Sequence, residues 1–94
     1  MDIAIKQDST YKLFKLVYPE LTYLVLKTSR QEGYTNFDLY VSMLFRPTQM
    51  ILFERLYTSL FVYLDGLLGV DKETCIEVIE HLLNILREKY GNIY

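Results

Sequence analysis

The spacing of apolar residues constrains this chain more than any other feature. They recur at intervals of three and four, and only four glycines and two prolines interrupt 94 residues. That period matches one face of a helix and conflicts with the two-residue alternation of a half-buried strand. The expectation is an all-α fold: a small antiparallel bundle of three long helices, the first kinked at Pro19, plus one short helix. The chain reads as a single helical domain over 1–94, with residues 1–9 and 91–94 less ordered. A strand over Thr22 to Lys27 or Ser59 to Asp65 is the competing local assignment.

Helical phase locates the elements. Oxygens of Asp8, Ser9 and Thr10 can cap a helix running to Glu32, with Gly33 as its left-handed terminus. Its apolar arc holds Tyr11, Leu13, Phe14, Val17, Tyr18, Leu21, Leu24 and Val25 on both sides of Pro19, so the proline kinks one helix rather than separating two. Thr35, with Asp38 three residues on, resembles a capping box for a short helix with Phe37, Tyr40, Val41 and Leu44 inward and Asp38, Ser42 and Arg46 outward. Register breaks at Arg46, which puts Pro47 in the first turn of a third helix reaching Leu68. Its core arc gathers Met50, Leu52, Phe53, Leu56, Tyr57, Leu60, Tyr63, Leu64, Leu67 and Leu68. Asp71 caps a fourth helix to about Tyr90, with Cys75, Ile76, Val78, Ile79, Leu82, Leu83, Ile85, Leu86 and Tyr90 on one half. Glu73, Glu77, Glu80, His81, Asn84, Arg87 and Glu88 occupy the other half.

Chemistry is sparse. The single cysteine and single histidine fall on the fourth helix six residues apart, ~9 Å along its axis and on different faces, so no thiol–imidazole pair forms within one subunit. Cys75 reads as a small buried hydrophobe and His81 as a solvated surface residue. Neither Glu77 nor Glu80 has the offset to His81 that di-iron bundles use. The glycines are isolated, so no phosphate-cradling loop is present. No enzyme activity, cofactor or metal site is expected. The longest charge-free stretch, Leu56 to Leu64, is far shorter than the ~20 residues of a membrane span. The start has no basic stretch leading into an apolar one, so no signal peptide is expected. One cysteine and no possible internal disulfide suit the cytoplasm.

A net charge of -2 offers no general attraction to phosphates. The charge is uneven: residues 1–30 carry five basic and three acidic side chains, residues 31–94 five basic and nine acidic. A helix-turn-helix shape over residues 36–57 would use Lys12, Lys15, Lys27, Arg46, Gln49 and Arg55 as nucleic-acid contacts, but a recognition helix beginning Thr48-Gln49-Met50-Ile51-Leu52-Phe53 is poor in such groups, and nucleic acid ranks below protein as a partner. The more informative pattern is an excess of apolar residues. Ile51, Phe61 and Val62 fall outside the core arc of the third helix, among Arg55 and Thr58 on its wet side. Ile51, Arg55, Thr58, Phe61 and Val62 therefore form the candidate interface of a helical protein-interaction module, most simply a homodimer. A short second helix folded over these residues would instead make a monomer.

Overall fold

The computed structural model describes residues 2–90, with side chains from Ser9 to Lys89; Met1 and residues 91–94, among the ends expected to be less ordered, lie outside the described residues. The fold is all-α, with no strand among the described residues. Thr22 to Lys27 is wholly helical, and so is Ser59 to Asp65, which sets aside both strand assignments. In chain order the elements are α1 (Asp2–Gln31), α2 (Phe37–Leu44), a 3₁₀ turn (Pro47–Gln49), α3 (Met50–Phe61), a π-helical turn (Val62–Leu67) and α4 (Lys72–Tyr90). α1 packs chiefly against α4, and α2 lies across α4 and α3.

α1 begins eight residues before the expected cap. The helix runs straight through Asp8, Ser9 and Thr10, so it does not start there. Thr10 is buried instead, and its hydroxyl donates to Glu77 Oε2 at 2.9 Å, joining α1 to α4. Pro19 lies inside the same helix and is exposed. It has no N–H for the Lys15 carbonyl, which on this exposed side can turn to water. One turn on, the Thr22 hydroxyl donates to the Pro19 carbonyl at 2.8 Å and to that of Tyr18 at 3.2 Å. Gly33, at φ +90°, ends the helix as expected. The Tyr34 N–H then reaches back to the Ser29 carbonyl at 3.0 Å, the six-to-one bond of a Schellman cap.

The cap of α2 is Asn36 rather than Thr35: its side chain accepts the Leu39 N–H at 3.1 Å. Ser42, expected on the outer side, is buried, its hydroxyl satisfied by the Leu39 carbonyl at 2.8 Å. Pro47 opens the next helix as expected, in a 3₁₀ turn. At α4, Asp71 accepts both the N–H and the hydroxyl of Thr74.

The core is a set of narrow stripes. Phe14, Val17, Leu21 and Val25 come from α1, Tyr40, Val41 and Leu44 from α2, and Leu52, Leu56, Leu60 and Leu64 from α3 and the turn beyond it. Cys75, Val78, Ile79, Leu82, Leu83 and Leu86 complete it from α4. These stripes are narrower than the arcs read from the sequence. Met50, Leu67 and Leu68, all assigned to the core arc of the third helix, are exposed. Leu67 is turned out by the π-helical turn, whose longer hydrogen-bonded loops rotate each residue through less than the 100° of an α-helix. Leu68 lies beyond that turn, where Gly69 at φ +70° redirects the chain. Met50 is the first residue of α3 and lines an open cleft with Phe45, Pro47 and Phe53. α1 is also less cleanly divided than expected, since Leu16 is 78% exposed and Tyr11 and Tyr23 are half-exposed.

Candidate interaction surface

The outer side of α3, continued by the first residue of the π-helical turn, is built from residues three and four apart: Ile51, Arg55, Thr58 and Val62. At 100° per residue they share an arc of about 60°, centred roughly 150° round the helix from the Leu52–Leu56–Leu60–Leu64 stripe that anchors it. Ile51 and Val62 are 56% and 57% exposed. α2 leaves them uncovered, its own apolar side being spent on the core with Tyr40, Val41 and Leu44. Phe61 behaves differently. It is half-buried against the core cluster, so it belongs to the margin of the fold rather than to the exposed strip.

Between α1 and α3 run two adjoining clefts that share Thr28, Gln31, Thr58 and Ser59 among their lining residues. One also takes in the apolar Leu24, Val62, Tyr63 and Leu67 beside Lys27. In the other, Arg55 donates to Glu32 Oε1 at 2.9 Å, tying α3 to the end of α1. The Glu32 side chain is only 15% exposed while that of Arg55 is 59% exposed, so the carboxylate is sheltered and the guanidinium faces outward. Below this pair lies Tyr40, completely buried, with its hydroxyl meeting no partner among the described residues. Burial pushes its phenol pKa strongly upward, and the nearby Glu32 carboxylate and Tyr34 add to the shift.

The residues named for nucleic-acid contact do not gather on one surface. Arg46 lines a cleft at the α2–α3 turn with Phe45, Pro47, Met50 and Phe53, where the Arg87 guanidinium lies 4.9 Å from the centre of the Phe45 ring. Gln49 is half-buried, and Arg55 is held by Glu32. Lys12, Lys15 and Lys27 are exposed on α1, with the Lys15 ammonium 5.4 Å from the Tyr11 ring centre. Lys27 stands beside Val62, thirteen residues and about 20 Å along the helix from Gln49. The start of α3 itself presents Met50, Ile51 and the acid Glu54 to solvent.

On α4, Cys75 is fully buried and its thiol donates to the Val70 carbonyl at 3.4 Å. Burial raises its pKa, which keeps it a thiol. His81 is exposed, its ring 5.5 Å from that of Phe14. It shares a polar cleft with Thr10, Glu77, Glu80 and Asn84. Glu77 is half-buried through its bond to Thr10, so the acidic face is less open at that point than its spacing suggested. Among the described residues no three His, Cys, Asp or Glu side chains are placed to hold a metal ion, and no helix is long and apolar enough to cross a membrane. No protein-family model, curated protein or solved structure matches the chain, so its functional reading rests on its own surface.

Proposed function

We propose that this protein is a helical protein-interaction module that works by binding rather than by catalysis, and that its first partner is a second copy of itself, joined through the outer side of α3. Acting as a dimer it would serve as an adaptor, inhibitor, immunity factor or structural subunit. The observation that carries the reading is the pair Ile51 and Val62, each more than half exposed on a helix whose opposite side is fully buried. In water both lie on apolar surface that a facing helix would cover, at roughly 25 cal/mol per Å² removed from solvent. Arg55 and Thr58 between them provide the polar centre, and Phe61 flanks the strip at its margin. The same reading keeps the three long helices as antiparallel neighbours, with α1 bent at Pro19, because the connections between them are short and α1 touches both α3 and α4.

Light scattering behind a sizing column tests the dimer at micromolar concentration. The expected mass is twice the 11.2 kDa of the chain. A clean mass of one chain overturns the reading. Ile51→Glu and Val62→Glu each place a charge in the seam and should weaken association by about 100-fold or more, while leaving the helical circular dichroism of the monomer unchanged.

A further inference from the structure

The outer face of α1 carries an exposed apolar strip of its own, and there the surrounding charge says what can cover it. At 100° per residue Leu16, Pro19, Tyr23 and Leu26 share an arc of about 80°, centred opposite the Phe14, Val17, Leu21 and Val25 stripe that faces the core. Leu16 and Tyr23 are each more than half exposed, and Pro19 is exposed beside them. Phe37 of α2 lies against Pro19, Tyr23 and Leu26 and broadens the strip into a shallow apolar cleft. Four exposed cations surround it. Lys12 and Arg30 continue its line at the two ends, about 27 Å apart, and Lys15 and Lys27 flank it on either side. Among residues 12–30 no acid falls within the arc of about 120° that holds strip and cations; Glu20 lies just outside it.

We propose that this face rests on an anionic lipid surface, with Leu16 and Tyr23 entering the headgroup layer and the four cations meeting lipid phosphates and carboxylates. A second copy is a poor occupant. Laid antiparallel on this face, it would set Lys12 against the partner's Arg30 and Lys15 against the partner's Lys27. The acids of the molecule stand behind the face. α1 turns its inner side to α4, where Thr10 meets Glu77 and Phe14 meets His81, so Glu73, Glu80 and Glu88 of α4 lie beyond α1 when approached from outside. Packed helix axes are about 8–10 Å apart, roughly one screening length at physiological salt, so those acids scarcely oppose an anion at the outer face. Cations on all four sides of one strip suit a plane of anions, whereas an acidic helix laid along α1 would present its charges in two flanking rows. Leu16, 78% exposed, stands out from the face, as entry into a headgroup layer requires. Tyr23 has the apolar ring and polar tip that favour the interface. Four apolar groups and four charges give shallow, reversible binding on the bilayer, with no need of the dimer.

Vesicle co-sedimentation tests this with two probes, phosphatidylcholine alone and phosphatidylcholine with about one third phosphatidylserine. At about 50 mM salt the unmodified protein should pellet with the anionic vesicles and stay in solution with the neutral ones, and about 0.5 M salt should release it. Lys15→Glu with Lys27→Glu should weaken binding by about 100-fold or more, since each unit charge near such a surface changes affinity roughly fivefold. Lys72→Glu with Lys89→Glu makes the same change in net charge on α4 and should leave affinity within about twofold. Leu16→Glu should weaken binding by about tenfold or more. All five positions are exposed, so helical circular dichroism should be unchanged and serves as the folding control. No pelleting with anionic vesicles at low salt overturns the proposal and leaves the face to an acidic protein segment. Equal losses in the two double variants overturn it as well, because net charge would then govern binding, and so does equal pelleting with both kinds of vesicle.

Discussion

Tyr40 shows what a single buried group does to this fold. Its ring packs 5.4 Å from that of Tyr34 and fills the core, yet its hydroxyl has lost water without finding a partner among the described residues. An unsatisfied buried hydroxyl costs about 1–3 kcal/mol, while a satisfied one contributes only ~1 kcal/mol. Tyr40→Phe removes that penalty and keeps the ring. We expect urea denaturation at pH 7 to show stability unchanged or raised by up to about 1 kcal/mol. A loss of more than that would reveal a hidden partner. The same phenol sets an alkaline limit. Its pKa in the fold lies above the ordinary 10.0 it has when unfolded. Its contribution is therefore intact below pH 10 and is lost as pH rises above it, because the unfolded chain alone releases the proton. Each such tyrosine removes about 1.4 kcal/mol per pH unit in that window. Burial raises Tyr57 as well, with Glu80 adding to it, so its contribution falls in the same direction. The unmodified protein should lose stability steeply between pH 10 and 11, and Tyr40→Phe less steeply; parallel losses would remove Tyr40 from this role.

At the scale of elements, the junction between α3 and α4 separates two glycines with opposite tasks. Gly66 lies in the π-helical turn with an ordinary backbone angle, and a methyl group there would meet only Val62 Cγ1 at 3.7 Å. Gly69 has open space around it but a φ of +70°. Gly66→Ala should therefore stabilise by about 0.5–1 kcal/mol through lower unfolded-state entropy, and Gly69→Ala should destabilise by about 1–2 kcal/mol through the left-handed backbone. Urea midpoints that move the same way for both would contradict this assignment. This junction is also where sequence pattern loses its hold. α4 is legible because Asp71 caps it locally and its apolar half-turns keep one period, except that Ile76, placed on its core half, is exposed at the edge of that half. Pro47 and Gly33 were equally legible, their roles being set by their own backbone limits. The π turn was not, since it arises from hydrogen bonds such as Leu68 N–H to the Tyr63 carbonyl at 3.2 Å and leaves no mark in the apolar period. Leu67 was misplaced for that reason. Thr10 escaped for a different one: its partner Glu77 is 67 residues away, and a threonine beside Asp8 and Ser9 resembles a cap until the helix before it is seen. At the candidate surface, phase alone marked Ile51 and Val62 because they lie opposite a four-residue leucine repeat. Phe61 lies near the edge of that repeat, where a large ring can lean inward. The Glu32–Arg55 pair joins residues 23 apart on different helices and carries no local signal.

At the scale of the molecule, chain length and apolar content pull against each other. A domain of this size buries only about 60–65% of the surface its unfolded chain exposes, while 51% of its residues are hydrophobic. Four narrow stripes fill the core, and the surplus stands outside it at Leu16 and Tyr23 on α1, at Ile51 and Val62 on α3, and at Leu67 beyond it. Dimerisation through α3 links this surplus to stability itself. When the folded state is a dimer and the unfolded state a single chain, mass action makes unfolding depend on concentration: each tenfold rise in protein adds about 1.4 kcal/mol per dimer. A monomeric fold has no such dependence. The urea midpoint of the unmodified protein should therefore climb steadily between about 1 and about 100 µM, and that of Val62→Glu should stay level across the same range. Leu16→Glu is the informative contrast, since it removes an even more exposed apolar group from α1 and should leave the climb intact. A level midpoint in the unmodified protein would make Ile51 and Val62 ordinary surface residues, and a climb abolished by Leu16→Glu but not by Val62→Glu would move the dimer from α3 to α1.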